Sequence, residues 1–162
     1  MKDDLIALIE ESIRLEWLVS ELYTLFHKDF PQDAEFWWTL AVEEKNHAAL
    51  IQSGKQYFQP VDRFPQELLS PGIQAVRKAN IELKSLISLY MDKPPSRGEA
   101  FHAALELERS AGELHFQQFM SKASHSKLDE IFKELNRGDK DHSERIRLYM
   151  ERQGFNRQAC ES

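Results

Sequence analysis

The chain has 162 residues and a formal net charge of −6, with 41% apolar and 30% charged side chains. These values indicate one globular domain, since about 150 residues is a common domain size. Lysines and arginines are scattered rather than clustered, which argues against a nucleic acid as partner. No apolar run approaches the roughly 20 residues that cross a bilayer, and the first residues lack a signal-peptide pattern, so we expect a cytoplasmic protein with no membrane partner.

The residue types present limit both the fold and the possible metal ligands. There are only 6 Gly and 6 Pro, and valine and threonine are scarce, so long helices are favoured over an all-β fold. Cys160 is the single cysteine. Without a disulfide framework or a Cys-x-x-Cys motif, any bound metal must be held by carboxylates and imidazoles.

Capping residues and prolines divide the chain into five predicted helices. Asp3 and Asp4 suit the first turn of a helix, and Ser96-x-x-Glu99 indicates a capping box. The predicted helices cover about 3–28, 33–58, 71–91, 96–122 and 127–154. We therefore predict a single all-α domain over residues 1–162, a four-helix bundle made of two helical hairpins at about 3–59 and 96–154, joined by a crossover helix within about 60–95.

Helical periodicity places acids where a plain bundle would carry apolar side chains. In a helix, positions at alternating steps of three and four residues share one face. In each of the four long helices this face points to the core and carries at least one acid. In the second and the last helix a histidine follows the acid three residues later, on the same face. The inward polar residues are Glu16, Glu44, His47, Glu108, Asp139 and His142.

The two halves of the chain repeat this pattern. Leu15-Glu16 corresponds to Leu107-Glu108, and Glu44-x-x-His47 corresponds to Asp139-x-x-His142. A duplicated two-helix unit is the simplest account. Each group lies about 15 residues from its predicted turn, or roughly 22 Å along the helix, so all of them are expected at one level of the core.

Such a layer needs positive charge, since an unpaired buried carboxylate costs several kcal/mol. Two divalent cations would neutralise four carboxylates. Oxygen ligands with one imidazole per metal favour iron or manganese over structural zinc. We expect two iron ions, with manganese or a mixed pair as alternatives. A third Glu-x-x-His, at Glu99 and His102, is not counted as a ligand pair, because the Ser96 capping box explains Glu99 and His102 has no partner at a matching level of the bundle.

The whole chain resembles the ferritin-like superfamily, most closely a rubrerythrin-like erythrin domain without the rubredoxin module. The residues that carry this resemblance are Glu16 with Tyr23 seven positions later, Glu44-x-x-His47, Glu108 and Asp139-x-x-His142.

The resemblance implies a role for each of these residues. Glu44 and Asp139 would bridge the metals, the other two glutamates would be terminal ligands, and each histidine would cap one metal. Two features depart from the family: Asp139 is one methylene shorter than the usual glutamate, and Ala111 stands where rubrerythrins usually carry a further glutamate. Tyr23 and His115, at equivalent positions, are candidates for hydrogen bonding to the carboxylates or tuning the redox chemistry; the alternative is packing with one satisfied polar tip.

The resemblance further implies an oxidoreductase linked to oxidative stress, which reduces hydrogen peroxide or dioxygen with electrons from an external carrier. Two alternatives remain at this point: a ferroxidase that sequesters iron, and a metal-free helical scaffold that binds a partner protein. We expect a homodimer or a larger homo-oligomer. Glu44→Ala separates the classes, since it should be harmless or stabilising in a scaffold and should abolish metal binding in a metalloprotein.

Overall fold

A computed structural model describes residues 2–66, 69, 72–110, 119–124, 126–135 and 142–155. Of these residues 84% are helical, and none of them forms a strand. The all-α class predicted from composition and periodicity is therefore confirmed. No helix in the described part of the chain is both long enough and apolar enough to span a membrane.

Three long helices pack together, and two shorter ones form a second contact. The N-terminal helix α1 (Lys2–Asp29) packs on α2 (Ala34–Tyr57) and on α3 (Ile73–Asp92), while α4 (Arg97–Glu108) packs on α6 (His142–Arg152). The four-helix ferritin-like topology stays a prediction, because residues 111–118 and 136–141 of the predicted third and fourth helices lie outside the described ranges. The helices are α1 (Lys2–Asp29), α2 (Ala34–Tyr57), α3 (Ile73–Asp92), α4 (Arg97–Glu108), α5 (Lys127–Leu135) and α6 (His142–Arg152), with short 3₁₀ turns at Pro31–Asp33 and Gln59–Val61.

Local capping chemistry sets the start of α4 and the end of α6. The backbone N–H of Glu99 donates to Ser96 Oγ at 3.2 Å, and the N–H of Ser96 donates to Glu99 Oε2 at 2.7 Å, so the predicted capping box is confirmed. After α6, Gly154 has φ +81° and Phe155 N–H donates to Met150 O at 2.9 Å. This is a Schellman motif, in which glycine adopts the left-handed conformation at least cost.

One predicted helix is interrupted, and the predicted start of another lies outside the described residues. The third bundle helix was expected to run unbroken to about Lys122, but α4 ends at Glu108; residues 111–118 lie outside the described ranges, and residues 119–121 are again helical. Both the N–H and the hydroxyl of Ser110 donate to Leu107 O, at 3.0 and 2.6 Å, and these three-residue bonds tighten and close the last turn. The crossover helix was expected from Pro71, which lies outside the described residues; α3 begins at Ile73 with Gly72 as its N-cap.

A buried carboxylate connects the first turn to the C-terminal half of the chain. The Asp33 side chain has no exposed surface and accepts two hydrogen bonds from the Arg97 guanidinium, at 2.6 and 2.5 Å. Tyr149 Oη donates to Asp33 Oδ1 at 2.8 Å. Because Arg97 belongs to α4 and Tyr149 to α6, this cluster helps to hold both helices against the α1–α2 connection.

Candidate metal centre

Four helices contribute polar side chains to one buried layer. The structure brings together five of the six predicted ligands, whereas Asp139 lies outside the described residues. Four of the five are almost completely buried, and the Glu16 side chain retains 14% of its accessible surface. The five residues are Glu16 on α1, Glu44 and His47 on α2, Glu108 on α4 and His142 on α6.

The first group of possible ligands consists of Glu16, Glu44 and His47. Nδ1 of His47 lies 3.6 Å from Glu16 Oε2 and 3.4 Å from Glu44 Oε2. One ligand atom from each residue lies within 4.8 Å of the other two. The spacing of three residues between Glu44 and His47 places both on one face of α2, as the periodicity predicts.

The second group consists of Glu44, Glu108 and His142. Nδ1 of His142 lies 2.8 Å from Glu44 Oε1 and 3.6 Å from Glu108 Oε1. Glu44 therefore belongs to both groups and turns a different oxygen towards each histidine. The two imidazole rings are nearly parallel, with 5.5 Å between their centroids. The layer thus has two neighbouring ligand groups that share one carboxylate.

The contact between Glu44 and His142 fits a bound cation. Glu44 Oε1 and His142 Nδ1 are 2.8 Å apart but are not aligned for a hydrogen bond, and neither atom has a hydrogen-bond partner among the described residues. Buried polar atoms are normally partnered. Adjacent ligands of an octahedral cation at about 2.1 Å lie about 3 Å from each other, so the observed separation suits two ligands of one ion.

In the absence of metal, protons balance the charges of the layer. Burial, and next the negative charge of Glu44, raise the pKa of Glu16 well above its ordinary value. Burial alone would raise the pKa of Glu44 too, but the charge of His142 and polar contacts from both histidines hold this pKa well below its usual range. Burial opposes a charge on His142, yet Glu108 and Glu44 outweigh it and raise the pKa of the imidazole. In the metal-free chain, protons on Glu16 and His142 therefore provide the charge balance that bound cations would provide.

Glu43 and Arg145, which the sequence analysis did not single out, support His142 from outside the layer. His142 Nε2–H donates to Glu43 Oε2 at 2.7 Å, and Arg145 pairs with the same oxygen. Burial opposes ionisation of Glu43, but the bonds from His142 and Arg145 lower its pKa. Since an ionised carboxylate only accepts, the proton stays on Nε2 and Nδ1 is left to bind a metal.

Tyr23 contacts the layer directly. The side chain is fully buried, and its hydroxyl donates a hydrogen bond to Glu108 Oε1. This contact agrees with both alternatives for Tyr23, hydrogen bonding to a carboxylate of the layer and packing with one satisfied polar tip. His115, its predicted counterpart, lies outside the described residues.

A small cavity adjoins the carboxylates. Its volume is about 20 Å³, which holds about one water-sized molecule. Apolar side chains form one part of its wall and carboxylates form another. The lining includes Leu15, Glu16, Val19, Glu44, Leu107 and Glu108.

Comparisons with known proteins leave the site to be interpreted on its own chemistry. No protein-family model, curated protein or solved structure matches this chain. The buried Glu and His groups are consistent with a metal site of unknown kind.

Proposed function

We propose that the chain binds two iron ions in the buried layer and reduces hydrogen peroxide or dioxygen with electrons from an external donor. The observation that carries the proposal is that Glu44 is shared by two Glu/His groups. One ion would be held by Glu16, Glu44 and His47, and the other by Glu44, Glu108 and His142. Oxygen-rich ligands with one imidazole per ion favour iron or manganese. The resemblance to rubrerythrins adds Asp139 as a second bridging carboxylate.

The chemistry requires two electrons for each O–O bond, and a pair of iron ions supplies them when bound. The chain's own residues perform the remaining tasks. Glu43 keeps the Nδ1 lone pair of His142 available. The Tyr23 hydroxyl holds Glu108 and carries a proton within reach of that carboxylate. The cavity beside Glu16 and Glu44 offers space for about one water-sized molecule next to the carboxylates that would hold the ions.

The first test is an anaerobic Fe²⁺ titration of the full chain, followed by H₂O₂ or air in separate aliquots. We expect two irons per chain and a change in absorbance that is faster with peroxide. The double variant His47→Ala/His142→Ala should lose both ions. His102→Ala is the matched control, because Glu99 and His102 have the same spacing, but Glu99 belongs to the capping box with Ser96 and neither residue belongs to the two ligand groups.

Each outcome of this titration has a distinct meaning. A preference for dioxygen would favour a ferroxidase, which the structure does not single out. Failure to bind Fe²⁺ in stoichiometric amounts, repeated with Mn²⁺, would contradict the proposal and leave the helical scaffold. Loss of binding in His102→Ala as well would mean that the ions bind elsewhere.

A further inference from the structure

A surface groove with a volume of about 390 Å³ lies where α1 meets α2 and α3. Helix α1 supplies most of its lining, α2 supplies Lys45, and α3 supplies Ile87 and Met91. The volume falls within the range of about 300–1,000 Å³ that is common for small-molecule sites. None of the lining residues belongs to either ligand group of the metal centre. The groove is therefore a separate feature of the fold.

Large apolar side chains of this groove stay open to solvent. Trp17 is 50% exposed and Met91 is 66% exposed. Next to them, Leu25 is partly buried and Ile87 is buried. A molecule that covered these side chains would remove apolar surface from water, which is the main driving force for binding in apolar grooves. The groove therefore fits a ligand with an apolar body.

The hydroxyl groups of the groove already donate within the protein. Ser20 Oγ–H donates to Ala41 O at 2.8 Å, and Thr24 Oγ1–H donates to Ser20 O at 2.8 Å. Since each hydroxyl has only one proton to donate, neither of them is available to donate to a bound molecule. Recognition of a polar group in the ligand therefore falls mainly to the charged side chains.

The charged side chains of the groove carry a positive surplus. Lys28 and Lys45 supply two ammonium groups, whereas Glu21 supplies one carboxylate. Neither lysine pairs with a carboxylate of the residues that the structure describes. Lys45 Nζ instead lies 5.8 Å from the centroid of the Trp38 ring. The surplus runs against the net charge of the chain, which is −6, so this groove offers an anion a favourable place on an acidic protein.

We infer that the groove binds a small molecule with an apolar body and one anionic group, such as a carboxylate. Trp17 and Met91 would cover the apolar body, and the ammonium groups of Lys28 and Lys45 would pair with the anion. A second copy of the chain is a poorer occupant, because a symmetric contact would bring the same positive surplus together from both copies. A neutral molecule is poorer too, since it would desolvate the lysines without supplying a counter-charge.

The full chain can be titrated with anilinonaphthalenesulfonate, an apolar anion whose fluorescence rises on apolar surfaces. We expect one molecule bound per chain, and weaker binding of the neutral phenylnaphthylamine. Lys28→Gln and Lys45→Gln should each raise the Kd about two- to fivefold, as for a partly exposed ion pair, and Glu21→Gln should lower it by a similar factor. Lys78→Gln is the matched control, because this side chain is 76% exposed on α3 and does not line the groove; the Kd should not change.

The apolar wall has its own pair of variants. Met91→Gln should raise the Kd about three- to tenfold, because it removes apolar surface that the body of the probe covers. Leu89→Gln is the matched control, because Leu89 is 56% exposed on the same helix but does not line the groove. Decanoate or naphthoate should displace the probe. Displacement by decanoate alone indicates a fatty acid as ligand, and displacement by naphthoate alone indicates an aromatic acid.

Four results would overturn this assignment. The double variant Lys28→Gln/Lys45→Gln would bind the probe with the Kd of the unmodified chain, the neutral compound would bind as tightly as the anion, or neither acid would displace the probe. The fourth is a dimer in sedimentation velocity that dissociates in Met91→Gln but not in Leu89→Gln, since a second copy would then fill the groove. None of these measurements requires a metal ion, so their outcome is distinct from that of the Fe²⁺ titration.

Discussion

Replacing Glu43 by glutamine tests the outer support of the metal centre. Glu43→Gln keeps the shape of the side chain but removes the negative charge that accepts the Nε2 proton of His142 at 2.7 Å. The change also removes the negative charge that pairs with Arg145. Glutamine can turn its NH₂ group towards His142, and Nε2 must then accept. The proton would move to Nδ1, which is the atom that faces Glu44 and Glu108.

The expected loss is confined to one of the two ions. Removing such an outer hydrogen bond typically weakens metal binding 10- to 100-fold, which is about 1.4 to 2.7 kcal/mol. Glu43 contacts His142, whereas the other proposed ion would be held by Glu16, Glu44 and His47. The metal affinity of the second ligand group should therefore fall by this factor, and the metal affinity of the first group should change much less.

Competition with a calibrated chelator, under anaerobic conditions, measures the two affinities. The unmodified chain should bind two Fe²⁺ ions with comparable affinity. In Glu43→Gln the two ions should bind in two separate steps of the titration, because their affinities differ. Glu35→Gln is the control, because it makes the same charge change at an exposed position of α2. The reasoning would be refuted if the Fe²⁺ affinities of Glu43→Gln agreed with those of the unmodified chain within about threefold. It would also be refuted if Glu35→Gln lost as much Fe²⁺ affinity as Glu43→Gln.

Further predictions concern stability in the metal-free and the metal-loaded chain. The pKa values of Glu16 and His142 are raised on folding, so each favours the folded state below its unfolded pKa and loses this contribution as the pH rises through its folded pKa. Urea unfolding of the metal-free chain between pH 6.5 and about 9 should therefore show a falling free energy of unfolding, and saturating Mn²⁺ should reverse the trend by displacing protons. Asp33→Asn should cost about 2–3 kcal/mol in the same assay, because it leaves the Arg97 guanidinium, whose side chain is 25% exposed, without its carboxylate. Glu144→Gln, in an exposed pair, should cost at most about 1 kcal/mol.

Features that depend on short sequence separations could be predicted from the sequence, and the repeated motif also predicted the common level of the ligand layer; individual side-chain contacts between helices could not be predicted. The Ser96 capping box and the shared face of Glu44 and His47 follow from three-residue spacings within one helix. Glu43 escaped prediction because its partner His142 lies 99 positions away, on a helix whose neighbours periodicity does not reveal. The end of α4 was missed for a different reason. The helical spacing of apolar residues continues in the sequence past residue 108, so it does not mark the end of a helix. The hydrogen bonds of Ser110 close α4 at Glu108.

The charges of the buried layer argue against a purely structural role. A scaffold gains little from three buried carboxylates, and apolar residues of similar volume are often as stabilising as buried ion pairs. Here Glu16 is pushed towards its protonated form while Glu44 stays ionised between two imidazoles. Divalent cations would replace the protons, ionise Glu16 and satisfy Glu44 Oε1 and His142 Nδ1 together. The arrangement is therefore costly without metal and complete with it, and a rise in thermal stability on adding Fe²⁺ or Mn²⁺, lost in Glu44→Ala, is the behaviour that a scaffold would not produce.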